Sequence, residues 1–99
     1  MVALAATEAM AGTEPFTGPL SGRFTFKLPR PKSHGKKVTF PDKRPDIDKL
    51  ARSVLDALTH VCFVDDAQLI TLQLRKRWAQ PDKEYPVGVE IHLAKELAE

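Results

Sequence analysis

The chain is short of the residues that staple or anchor a protein. One cysteine, Cys62, in 99 residues excludes an internal disulfide and any cysteine-based zinc site. Its neighbours Val61, Phe63 and Val64 are apolar, which predicts a buried thiol acting as a small core hydrophobe. No apolar run approaches the ~20 residues needed to cross a bilayer, so no membrane association is expected. The opening Met-Val-Ala-Leu-Ala-Ala-Thr-Glu-Ala-Met carries no basic segment and meets Glu8 early, unlike a secretory leader. A cytoplasmic protein is therefore expected. Histidine is sparse too. His34, His60 and His92 share no metal-ligand spacing and read as ordinary surface or half-buried side chains.

What is present is an ordinary soluble composition, 42% hydrophobic and 28% charged, long enough for one domain with a small core. The net charge is only +2, but its distribution is uneven. Seven of the 15 Lys and Arg residues lie between Lys27 and Arg44, against one acid, Asp42. The stretch 29–45 also holds Pro29, Pro31, Pro41, Pro45 and Gly35, so it reads as a long basic loop.

Around that loop the pattern predicts regular structure. Residues 2–10 read as a short helix, followed by a linker through residue 19. Arg23 to Leu28 alternates as a half-buried strand, with Phe24, Phe26 and Leu28 on the core face. From Ile47 to about Thr59, Leu50, Val54, Leu55 and Leu58 fall at helical spacing. A second strand is expected from about Gln68 to Trp78, with Ile70, Leu72, Leu74 and Trp78 inward and Thr71, Gln73, Arg75 and Arg77 outward. A turn at 80–86 then leads to a third strand, Val87 to Leu93, expected to pair antiparallel with the second as a hairpin. The fold class is α+β: a small, mainly antiparallel or mixed sheet with one principal helix.

Acids at the element ends carry the chemistry. Asp46 stands at the N-cap position of the helix and Asp48 in its first turn, where the helix dipole favours an anion. Asp65 and Asp66 precede the second strand. Clustered carboxylates repel unless a cation neutralises them, and a hard cation such as Mg²⁺ takes a few carboxylates and fills its shell with water and phosphate. Beside a basic loop, such acids suit metal-assisted phosphodiester hydrolysis, because one protein must hold both the polyanion and the cation. Lys32, Lys36, Lys37, Lys43 and Arg44 are the candidate backbone contacts. Each feature also has a plain alternative: capping for Asp46, solvated charge for the loop, a core position for Trp78, and a structural role for Asp56.

Three motifs together carry a family resemblance. Arg-Pro-Asp-Ile-Asp-Lys-Leu, Leu-Asp-Ala-Leu-Thr and Val-Asp-Asp-Ala-Gln-Leu resemble the RusA family of Holliday junction resolvases, and Phe-Lys-Leu-Pro-Arg-Pro-Lys-Ser-His is similar to its phage-borne members. The resemblance covers residues 20–93. It implies a homodimeric, Mg²⁺-dependent endonuclease of recombination and repair that cuts four-way junction DNA by paired nicks. Asp46, Asp48 and Asp66 match the family's catalytic metal-binding acids. Two departures stand out: Arg52 occupies the place of a functional lysine, and the chain begins inside what resembles the family's first helix, so a preceding strand is expected to be missing. The other function considered is a shortened, non-catalytic relative that binds junctions without cutting. A third is a structural module with solvated charges.

Overall fold

A computed structural model of the chain describes residues 10, 12–30, 40–80 and 86–96. Its elements are β1 (Leu20–Leu28), α1 (Ile47–Leu58), a single 3-10 turn (Asp66–Gln68), β2 (Leu69–Trp78) and β3 (Gly88–Lys95). This is the α+β class expected, with one helix and a three-stranded mixed sheet. The expected short helix over residues 2–10 lies, except for Met10 in a turn, outside the described residues, as do Lys32, Lys36 and Lys37 of the basic loop.

The strand order is β2-β1-β3. β1 runs parallel to β2, from Leu20 beside Leu69 to Leu28 beside Trp78, and antiparallel to β3, from Leu20 beside Lys95 to Lys27 beside Gly88. The expected β2–β3 hairpin is therefore wrong, because β1 lies between those two strands. The physical reason is composition. β1 carries Leu20, Phe24 and Phe26, the most deeply buried side chains of the three strands, and the centre of the sheet, where burial is greatest, falls to it.

Alternation sets two faces. On the inner face Leu72, Gly22 and Leu93 form one cross-strand row, and Leu74, Phe24 and Ile91 the next. Gly22 belongs there for steric reasons: a Cβ at that position would stand 3.2 Å from the Cδ atoms of Leu69 and Leu72 and 3.3 Å from that of Leu93, so the flanking leucines close over the bare backbone. α1 lies against this face. Its apolar stripe buries Ala51, Val54 and Leu58, and Val54 and Leu58 join Leu20, Phe24, Phe26, Cys62 and Phe63 in one core. Phe24, Phe63, Leu20 and Leu58 are fully buried, and truncating any one to alanine would cost about 2–5 kcal/mol. Cys62 is buried as expected, and burial pushes its thiol pKa up.

One inward residue is misplaced by simple alternation. Ile70 is 63% exposed. The β1–β2 register slips between Leu20 and Ser21, whose partners are Leu69 and Thr71, so Ile70 is an extra residue in β2. This bulge lets Leu69 as well as Leu72 pack on the core while Ile70 turns away.

Candidate metal and phosphate site

The helix start is placed by a lysine on the inner face of β2. Lys76 lies beside Phe26, and its Nζ donates hydrogen bonds to the Lys43 carbonyl at 2.7 Å and the Pro45 carbonyl at 2.9 Å. These bonds fix the segment immediately ahead of α1, and with it Lys43, Arg44 and Asp46. Asp46 is the N-cap residue, with extended backbone angles (φ −69°, ψ 137°) and its carbonyl accepting from the Leu50 N–H at 3.1 Å. Its side chain makes no capping hydrogen bond. The carboxylate instead stands 3.6 Å from Lys49 Nζ with about half of the side chain exposed (52%), a contact worth little in stability. Asp48 follows in the first turn and has no hydrogen-bond or ion-pair partner among the described residues.

Asp65 and Asp66 are neighbours with different tasks. Asp65 Oδ1 accepts from the Ala67 N–H at 2.9 Å, and the Gln68 side chain accepts from the Asp65 N–H, a reciprocal capping box over the 3-10 turn. Asp66 is left to face the helix. Its Oδ2 lies 3.2 Å from Arg52 Nη1, and the same Nη1 is 4.0 Å from Asp56 Oδ1. Arg52 thus sits between two carboxylates rather than standing clear beyond the acids.

Gln68 holds the turn that carries Asp66, and sequence reasoning passed over it. Its Oε1 accepts from the N–H groups of Val64 (2.8 Å) and Asp65 (2.9 Å), while its Nε2 donates to the carbonyls of Phe16 (2.9 Å) and Gly18 (3.0 Å). Asp65-x-x-Gln68 was a legible signal, since an acid followed three residues later by Gln is the pattern of such a box. Lys76 was also overlooked; the signal was a lone cation on the apolar face of a strand.

Asp46 and Asp48 stand at the start of α1, whereas Asp66 pairs with Arg52. Arg52 is roughly 6 Å along the helix axis from Asp48 at ~1.5 Å per residue. The loop after α1 does fold Asp66 back along the helix, but the three acids do not meet: among the described residues no three His, Cys, Asp or Glu side chains are close enough to share a metal ion. The donors nevertheless fit a hard cation in kind. They are all carboxylate oxygens, Asp46 and Asp48 are not spent on capping, and Mg²⁺ needs only one or two carboxylates beside water and phosphate.

Other candidates take plainer roles. Trp78 is buried, with the Arg30 guanidinium 5.3 Å from its ring centre, so its ring belongs to the edge of the core. His92 contacts Glu90 at 3.2 Å and His60 sits in a turn at φ 68°. No described helix is long and apolar enough to cross a membrane.

Comparison with known proteins agrees with the motifs. The chain is 33% identical over 74 residues to the uncharacterized protein YqaN of Bacillus subtilis (strain 168), a match covering 65% of this chain and 52% of that protein. It thus spans about half the length of the curated relative it matches. The family model described as endodeoxyribonuclease RusA matches residues 1–93, a span that takes in the β1 strand, the acid-bearing helix and the Asp65-Asp66 turn, and the chain therefore belongs to the RusA family of endodeoxyribonucleases.

Proposed function

We propose that the protein is a single-domain, Mg²⁺-dependent, structure-specific endodeoxyribonuclease that resolves four-way DNA junctions by paired phosphodiester hydrolysis. It would act as a homodimer in recombination and repair, in the cytoplasm of a bacterium or of a phage-infected host. The observation that carries this reading is the family match over residues 1–93, which includes every acid of the candidate site.

Asp46, Asp48 and Asp66 would hold the cation. When bound, it supplies an activated water and stabilises charge on the scissile phosphate. The chain's own residues do the rest. Lys43 and Arg44, on the segment pinned by Lys76, offer positive charge next to Asp46, where the DNA backbone must approach. Arg52, tethered to Asp66 on an exposed surface, can exchange a carboxylate for a phosphate oxygen, and its planar fork suits either. Lys32, Lys36 and Lys37 would extend the phosphate contacts.

Since no three such side chains come together among the described residues of one chain, the proposed site is shared across a two-fold axis, where Asp46 and Asp48 of one protomer would meet Asp66 of its partner, twice. The second reading is a shortened relative that binds junctions without cutting. A labelled four-way junction incubated with purified protein, with and without Mg²⁺, separates them. Symmetric nicks that require Mg²⁺ support the nuclease. Salt-sensitive binding with no nicking in Mg²⁺ or Mn²⁺ leaves the binding protein.

A further inference from the structure

Among the described residues, no element covers the outer face of the sheet. α1 packs on the inner face, and the outer face presents the alternate residues of all three strands to solvent. Its charge is one-sided. Arg23 and Lys27 of β1 and Arg75 and Arg77 of β2 stand there against Glu90 of β3, which is already engaged by His92. Arg23, Arg75 and Arg77 are exposed and have no ion-pair partner among the described residues. In register, Arg75 lies beside Thr25 and Arg77 beside Lys27, so three cations crowd one end of the face.

The other end is a hollow of about 470 Å³, where Ser21, Arg23, Thr71, Gln73 and His92 can donate hydrogen bonds to phosphate oxygens and Glu96 is the one acid in the lining. Among the described residues the face carries no Phe, Tyr or Trp. Sheet surfaces that grip single strands do so by stacking bases on aromatic rings, so this one is built for backbone contacts instead.

We propose that this face binds an arm of duplex DNA through its phosphates. The inference rests on the nuclease reading for the identity of the polyanion. The route is short, because β2 is an edge strand. Lys76 pins the segment ahead of Asp46 from the inner side, while Arg75 and Arg77 on either side of it in sequence point outward. DNA leaving the helix start can round this edge and lie along successive cations. Residues two apart on one strand face are spaced ~6.6 Å, so Arg75 and Arg77 reach separate phosphates.

The test is binding of a labelled, uncut duplex without divalent metal, measured by anisotropy across a range of KCl, for the full chain and for Arg75→Gln/Arg77→Gln. Each lost phosphate contact should lower the slope of log affinity against log salt by about 0.9, so the pair should lower it by about 2 and weaken binding at least ~10-fold near 0.1 M salt. Arg75→Ala/Arg77→Ala provides a second pair, and unchanged melting temperatures confirm that either pair folds. Equal slope and affinity in a folded variant overturn the proposal. If such a variant still nicks junctions with Mg²⁺, the face alone is wrong and the nuclease reading stands. A native protein that binds neither duplex nor junction refutes both. A variant whose sedimentation shifts to a smaller species at unchanged slope identifies the face as a subunit contact and overturns the proposal.

Discussion

Replacing Gln68 by Glu tests how the Asp66 turn is held, because the substitution changes one atom of the side chain and almost no volume. Oε1 would keep its two backbone N–H partners, Val64 and Asp65. Nε2 becomes an oxygen facing the carbonyls of Phe16 and Gly18, so two hydrogen bonds are lost and acceptor meets acceptor. At about 1 kcal/mol for each lost bond, the cost is about 2 kcal/mol, the partial exposure of the site roughly offsetting the repulsion. For a domain of this size each kcal/mol moves the melting temperature by about 4–8 °C, so Gln68→Glu should melt about 8–16 °C below the native chain at pH 7. The loss should depend on pH. The two carbonyls disfavour the charged carboxylate, which raises the folded-state pKa of the new Glu above its unfolded value of ~4.3. The destabilisation is then present at neutral pH, diminishes as pH falls through the folded pKa, and is smallest below ~4.3, where the neutral acid can donate one bond again. Paired thermal melts of the variant and the native chain at several pH values measure this difference. A gap that stays constant with pH, or a melting point within ~1 °C of native at pH 7, would refute the reasoning.

Other predictions concern the site. Asp46→Asn, Asp48→Asn and Asp66→Asn should each abolish junction nicking while leaving gel-shift affinity equal or tighter, since each removes a ligand and a charge that repels phosphate; Mg²⁺-dependent cutting by any of them counts against the assignment. Mixing Asp46→Asn with Asp66→Asn under conditions of verified subunit exchange should restore nicking, because each mixed dimer keeps one complete site, whereas verified exchange without recovery places the acids in one protomer. Lys76→Met should lower stability by about 1 kcal/mol, through loss of two exposed hydrogen bonds from the ammonium, and raise the Mg²⁺ concentration needed for half-maximal nicking; an unchanged Mg²⁺ titration would mean that the loop ahead of Asp46 holds its place unaided. Arg52→Ala should lower the cleavage rate more than the affinity, and a loss confined to affinity makes Arg52 a simple phosphate contact.

Local pattern made much of the fold readable. Periodicity located the helix, observed at Ile47–Leu58, and alternation located the inward faces of β1 and β3, because both depend on neighbours within a few residues. Which strand pairs with which depends on residues far apart in the chain. β2 and β3 are adjacent in sequence and look like a hairpin, but each gains more by lying beside Phe24 and Phe26, and no short-range signal encodes that choice. The bulge that exposes Ile70 is hidden for the same reason, since it arises from fitting two strands together. At the site, the acids could be found by residue type and position, and the Asp65 capping box could have been. The pairing of Arg52 with both Asp56 and Asp66 could not, because it depends on how far the loop after α1 turns back.

The order β2-β1-β3 ties the site to the assembly of the whole chain. β1 and β2 are parallel neighbours, so α1 and the loops around it are the crossover that joins them, and the acids ride on the connector rather than on a finished platform. Among the described strands β1 is the earliest in the chain and the last to be completed, because its second neighbour ends at Lys95. Contacts this distant along the chain slow folding, and they leave little native sheet for Asp46, Asp48 and Asp66 to be arranged upon until β3 has arrived. A nascent or partly unfolded chain would then lack a settled arrangement of Asp46, Asp48 and Asp66, so that under the proposed function cutting would have to await the finished sheet.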